Sequence, residues 1–151
     1  MSITSKTIGT LNDLIELNND RIAGFEKAMS DINQENVDLK ELFQKFAADS
    51  RKFSQELTAI VATQGGEPET GNSASGTLHR VWIDVKAIFG GSDRKSILAE
   101  AERGEDAIKK AYQDALIDGE LSGNALETVR EQSTAITAGH DAIKALRDAH
   151  K

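Results

Sequence analysis

The stretch Ser96 to Leu121, SILAEAERGEDAIKKAYQDALIDGEL, decides the reading of the whole chain. Its apolar residues recur at helical spacing, Leu98, Ala101, Ile108, Tyr112, Ala115 and Leu116, and so define one face of an amphipathic helix. Glu105 falls in the middle of that face, where a bundle core should be. A carboxylate taken out of water needs partners, so the question is which residues elsewhere in the chain can meet it.

Three other stretches show the same habit. From Leu11 the residues Leu11, Ile15, Asn18, Ile22, Phe25, Met29 and Ile32 repeat every three or four positions, broken by Asn18. Thr10 reads as the N-cap of this helix, with Ile8 as a possible extension of its stripe. A second helix runs through Leu39, Leu42, Phe43, Phe46, Ser50, Phe53, Leu57, Ile60 and Val61, broken by Ser50, and ends before Gly65-Gly66. The last carries Ala125, Leu126, Val129, Gln132, Ile136, Gly139, Ile143 and Leu146, broken at Gln132 and the adjacent Ser133, with Ser122 as its N-cap. The short polar joint at 33–36 and the DGELSG turn at 118–123 each force the flanking helices to lie antiparallel.

Between the two pairs, GGEPETGNSASG at 65–76 holds the only proline and reads as a loop. Leu78, Val81, Trp82, Val85, Ile88 and Phe89 then mark a short amphipathic helix over 77–89, stopped by Gly90-Gly91. A connection this long can climb back along the second helix, so the third helix is expected to run parallel to the second. The apolar face of the short helix, Trp82 included, is expected to pack across the bundle. The predicted architecture is all-α: one domain over 1–151, with helices at about 8–33, 37–64, 77–89, 94–118 and 122–148, forming two antiparallel pairs joined by a long crossover. Folding each pair back on its turn brings Asn18 near Ser50 and Glu105 near Gln132, in one polar layer at mid-height.

Composition narrows the function classes. A chain of 151 residues at 38% hydrophobic suffices for one core. It has no cysteine, which excludes disulfides and thiolate metal sites. The net charge of −7 and the scattered Lys and Arg argue against nucleic acid as a partner, and no apolar run has membrane-spanning or signal-peptide length. The expectation is a soluble cytoplasmic protein. No phosphate-binding glycine loop or nucleophile elbow occurs.

The order and spacing of LNDLIELNNDRIAGFEKA at 11–28, GTLHRVWIDVK at 76–86 and AERGEDAIKKAYQDAL at 101–116 resemble a bacterial ferritin-like four-helix-bundle family catalogued as a domain of unknown function, distantly rubrerythrin-like. The resemblance covers nearly the whole chain. It implies a ferritin-like bundle, an association with stress responses, and a mid-height layer where di-iron relatives hold metal. That chemistry needs a Glu from each of two helices and a Glu-x-x-His pair from each of the other two. Here the residues three before His79, His140 and His150 are Gly76, Thr137 and Arg147, so no such pair exists. Helix two offers Asp49, Ser50, Arg51 and Phe53 instead, and Ile108 stands where some rubrerythrin-like proteins carry another Glu.

Two readings follow. In the first, Asn18, Ser50, Arg51, Glu105 and Gln132, with Ser133, form a structural polar layer in which side-chain donors satisfy Glu105 and no cofactor is held. The protein then acts through its surface, as a non-enzymatic structural or partner-binding protein whose partner is another protein or a second copy of itself. In this reading Glu105→Gln is expected to be mild. In the second, the bundle is a metal-binding protein or oxidoreductase holding iron or manganese on an atypical carboxylate set drawn from Glu16, Asp20, Glu102 and Glu105. His140, at the edge of its stripe, and His79, beside Trp82, are expected to pack and not to ligate.

Overall fold

The computed structural model describes residues 5–31, 36–68 and 94–149, and within them the chain forms four helices and no strand. These are α1, Ser5–Asp31; α2, Val37–Thr63; α3, Arg94–Asp118; and α4, Gly123–Ala149. The expected short helix at 77–89, the packing of Trp82 and the environment of His79 lie outside the described residues.

The apolar spacing explains which face each helix buries. On α2 the buried residues are Leu39, Phe43, Phe46, Ala47, Ser50, Phe53, Leu57, Ile60 and Val61. On α4 they are Ala125, Val129, Gln132, Ile136, Gly139, His140 and Ile143. Phe25 of α1 packs between Phe43 and Phe46 of α2, with ring centroids 4.9 and 5.5 Å apart. These tilted contacts suit the opposed edge and face polarity of aromatic rings.

Side-chain contacts fix the directions of the helices. Arg94, the first residue of α3, makes a forked pair with Asp38 in the first turn of α2, at 3.0 and 2.8 Å, so these two helices start at the same end and run parallel. Thr7 and Thr10 near the start of α1 donate to the carbonyls of Glu120 and Gly119, just past the end of α3, so α1 and α3 are antiparallel neighbours. The α1–α2 and α3–α4 pairs pack closely, α1 also touches α3, and α2 also touches α4. Helices α2 and α3 therefore lie across a diagonal, and every neighbouring pair is antiparallel.

Helix α1 begins earlier than its sequence suggests. Thr10 is an interior residue whose hydroxyl donates back to Lys6 O at 2.9 Å, so it is not an N-cap. Such a bond satisfies a Thr within a helix, which is why a capping-type residue does not mark a boundary here. At the other expected cap, α4 starts at Gly123, and the carbonyl of Ser122 accepts from Leu126 N at 3.3 Å. The turn from α3 needs glycine: a Cβ on Gly119 would stand 2.4 Å from Ala115 O, the carbonyl that receives the Gly119 N–H.

The outer seam between α3 and α4 carries an ion pair and a histidine held between carboxylates. Arg147 Nη1 meets Glu102 Oε2 at 2.5 Å. The buried ring of His140 lies between Asp106 Oδ1, 2.5 Å from Nε2, and Asp141 Oδ1, 3.0 Å from Nδ1. The hydrogen bond to His140 holds the Asp141 carboxyl below the usual carboxylate range.

Candidate functional site: a polar chain through the core

Each helix contributes to a chain of side-chain hydrogen bonds that crosses the core. It begins at Glu105 of α3. Arg21 of α1 donates through Nε to Glu105 Oε2 at 3.0 Å and through Nη2 to Oε1 at 2.5 Å. The remaining guanidinium nitrogen of Arg21 donates to Ser50 Oγ of α2 at 3.0 Å and reaches Phe46 O at 3.5 Å. Ser50 Oγ donates to Asn18 Oδ1 at 2.9 Å, and Asn18 Nδ2 donates to the hydroxyl of Tyr112 at 2.8 Å and to Leu14 O at 2.9 Å. Tyr112 OH donates to Gln132 Oε1 of α4 at 2.7 Å. Gln132 Nε2 then donates to Phe53 O at 3.3 Å and to Glu56 Oε1 of α2 at 3.0 Å.

Asn18, Ser50, Glu105, Tyr112, Arg21 and Gln132 are all at most 1% exposed. In that environment an unpaired polar group costs about 1–3 kcal/mol, so the completeness of the chain matters more than any one bond in it. Burial pushes the Glu105 carboxyl above its ordinary range, against the opposing pull of Arg21 and, more weakly, of His140. Burial likewise pushes the Tyr112 phenol well above its usual range, which keeps it a donor to Gln132.

Arg21 is held on its faces as well as its edges. Its guanidinium carbon lies 5.3 Å from the ring centroid of Phe25 and 5.2 Å from that of Phe46, within cation–π range. Gly139 of α4 makes room for it: a Cβ there would stand 3.3 Å from both Arg21 Nη2 and Phe46 Cε1.

The layer expected from Asn18, Ser50, Glu105 and Gln132 thus comes together, with corrections. Arg51 is not part of it. Its side chain is half exposed and pairs with Glu26 on the surface, because position 51 lies one residue past the inward-facing Ser50. Neither Asn18 nor Gln132 donates to Glu105; Arg21 takes both of its oxygens. Ser133, also expected as a donor, is only half buried. The missed members are Arg21, Tyr112 and Glu56. Arg21 was legible in one respect: Leu11, Leu14, Asn18, Arg21 and Phe25 repeat at three and four residues as regularly as the stripe through Ile22, and they are the buried set.

The residues of the metal-binding reading do not converge. Glu16 is half buried, Asp20 is buried on α1, and Glu102 is engaged by Arg147. Among the described residues, no group of three or more His, Asp or Glu side chains is placed to hold a metal ion. Nor is any helix among them long and apolar enough to cross a membrane.

The far end of the chain opens onto a cleft of about 460 Å³ between the last turns of α2 and the first turns of α4, lined by Glu56, Ala59, Ile60, Thr63, Gln64, Ser122, Gly123, Asn124, Ala125 and Thr128. The two carboxylates of the chain therefore differ. Glu105 is sealed beside a guanidinium, whereas Glu56 is half buried and among the described residues is met by the Gln132 amide alone.

No curated protein matches the chain. Residues 6–118, which span α1, α2 and α3 and supply every member of the polar chain except Gln132, match the family described as Domain of unknown function (DUF2383), and the protein belongs to that family.

Proposed function

We propose that the protein is a non-enzymatic ferritin-like bundle, cytoplasmic on the grounds of its composition and stress-associated as the sequence resemblance implies, that works as a structural or partner-binding scaffold. The observation that supports this is the Arg21–Glu105 pair. A carboxylate-bridged metal centre would need Glu105 as an anionic ligand, and both of its oxygens already receive N–H groups from a guanidinium that fills the position beside it. Arg21 supplies in permanent form the positive charge that a metal ion would bring. Its neighbours Ser50 and Asn18 are neutral, so beside Glu105 they add none of the further carboxylates or imidazoles that iron or manganese favours.

Elemental analysis of protein purified without chelator, combined with thermal melts with and without added iron, manganese and zinc, tests this reading. Sub-stoichiometric metal and unchanged melting are expected. Stoichiometric iron or manganese, with a metal-dependent rise in Tm that Glu105→Gln abolishes, would overturn it in favour of the metal-binding alternative.

A further inference from the structure

The chain of hydrogen bonds has a charge imbalance. Its ionic groups are one guanidinium, Arg21, and two carboxylates, Glu105 and Glu56. Arg21 is committed to Glu105, and from Arg21 onward every link donates in the same sense, through Ser50, Asn18, Tyr112 and Gln132, toward Glu56. The excess negative charge thus falls at the cleft. Among the described residues, no Lys, Arg or His lines that cleft and no cation pairs with Glu56.

We propose that this cleft binds a small organic ammonium ion, with the ammonium on Glu56 and a neutral oxygen-bearing end toward Asn124 and Thr128. Its volume of about 460 Å³ lies in the range of small-molecule sites. Glu56 is positioned in advance by Gln132, whose own orientation is set by Tyr112 and the Phe53 carbonyl, so ligand binding does not have to order the carboxylate. The carbonyl end of α2 lies on the same wall as Glu56 and favours the cation there. The opening turn of α4 forms the opposite wall and disfavours a second positive charge, so a hydroxyl suits that end better. Ala59, Ile60 and Ala125 leave short apolar walls for the methylene segment between the two ends. The inference takes Arg21 and Glu105 as an ion pair but does not depend on what that pair is for, so either proposal can fail alone.

The test uses the full chain and three probes that differ only in their ends, aminobutanol, diaminobutane and butanediol, followed by amide NMR titration at constant ionic strength. Saturable, one-to-one shifts at Glu56, Asn124 and Thr128 with aminobutanol are expected, with weaker binding of diaminobutane and weakest binding of butanediol. Glu56→Gln should weaken aminobutanol about tenfold, the scale of one charge-assisted hydrogen bond. Thr128→Lys, which leaves the polar chain intact and places a tethered ammonium opposite Glu56, should abolish the saturable shifts and covers the case in which Glu56→Gln does not fold. The proposal is overturned by non-saturating shifts, by butanediol binding as tightly as aminobutanol, or by undiminished binding in either folded variant.

Discussion

The two ends of the polar chain pose the same problem in two settings. At one end the Glu105 carboxylate is sealed between α1 and α3, and it receives a guanidinium gripped in turn by two phenylalanine rings. At the other the Glu56 carboxylate sits half buried at a cleft and, among the described residues, has a single amide donor. Water accounts for the difference. A sealed carboxylate loses several kcal/mol of solvation that only a full charge and good geometry can offset, whereas one at a cleft keeps part of its hydration. Depth, more than residue type, decides what each acid requires of its neighbours.

The largest test of this contrast removes the guanidinium. Arg21→Leu should cost about 3–5 kcal/mol in urea unfolding, because it leaves a buried carboxylate unpaired, and Arg21→Leu combined with Glu105→Leu should recover most of that loss. A cost for the single variant below about 1 kcal/mol would show that Glu105 is not sealed. Glu105→Gln, mild on sequence grounds, is now expected to cost nearly as much as Arg21→Leu, since it strands the guanidinium instead.

In the middle of the chain, Tyr112→Phe removes one oxygen and leaves both Asn18 Nδ2 and Gln132 Oε1 without that partner. A loss of about 1–3 kcal/mol is expected by the same melts, and a neutral result would mean that water replaces the phenol.

The exposed Asp38–Arg94 pair provides a surface reference for the same carboxylate–guanidinium chemistry. The hydrogen bonds from Arg94 hold the Asp38 carboxyl below its ordinary value of 3.8, so its contribution is present above that pH and is lost as pH falls through the lowered folded value. Since the Asp38 side chain is 56% exposed, that contribution should not exceed about 1 kcal/mol. Stability measured from pH 5 downward should therefore fall slightly less steeply in Asp38→Asn than in the parent.

The smallest effect belongs to the open end. Glu56→Gln should shift stability by no more than about 0.5 kcal/mol, the usual scale for a surface change. If it matched Glu105→Gln, the distinction between the two ends would collapse.

Periodicity made the four helices and their antiparallel pairing readable, because each stripe has one apolar face and each turn is too short to allow another route. It also located Asn18, Ser50, Glu105 and Gln132, since a polar residue within an apolar stripe stands out. Arg21 was hidden by a choice of phase: Ile22 is the more hydrophobic of two adjacent positions, yet Ile22 is half buried and Arg21 is sealed. Hydropathy cannot reveal a cation whose partner lies 84 residues away. Tyr112 was hidden for the opposite reason, because its ring fits an apolar stripe and its hydroxyl matters only once α1 and α4 stand on either side. Glu56 lies off the apolar stripe of α2, and the reach of Gln132 across the α2–α4 contact connects it to the interior.

The polar chain also has a consequence in time. Helices α1 and α2 can pair as one hairpin and α3 and α4 as another, but the Arg21–Glu105, Asn18–Tyr112 and Gln132–Glu56 links all cross from one hairpin to the other. None can close until the two have docked and shed the water between them, which places these bonds late on the folding route. Interactions absent from the transition state act almost wholly on the rate of leaving the native state. The buried chain should then serve as a latch, doing little to speed assembly and much to lengthen the lifetime of the folded bundle.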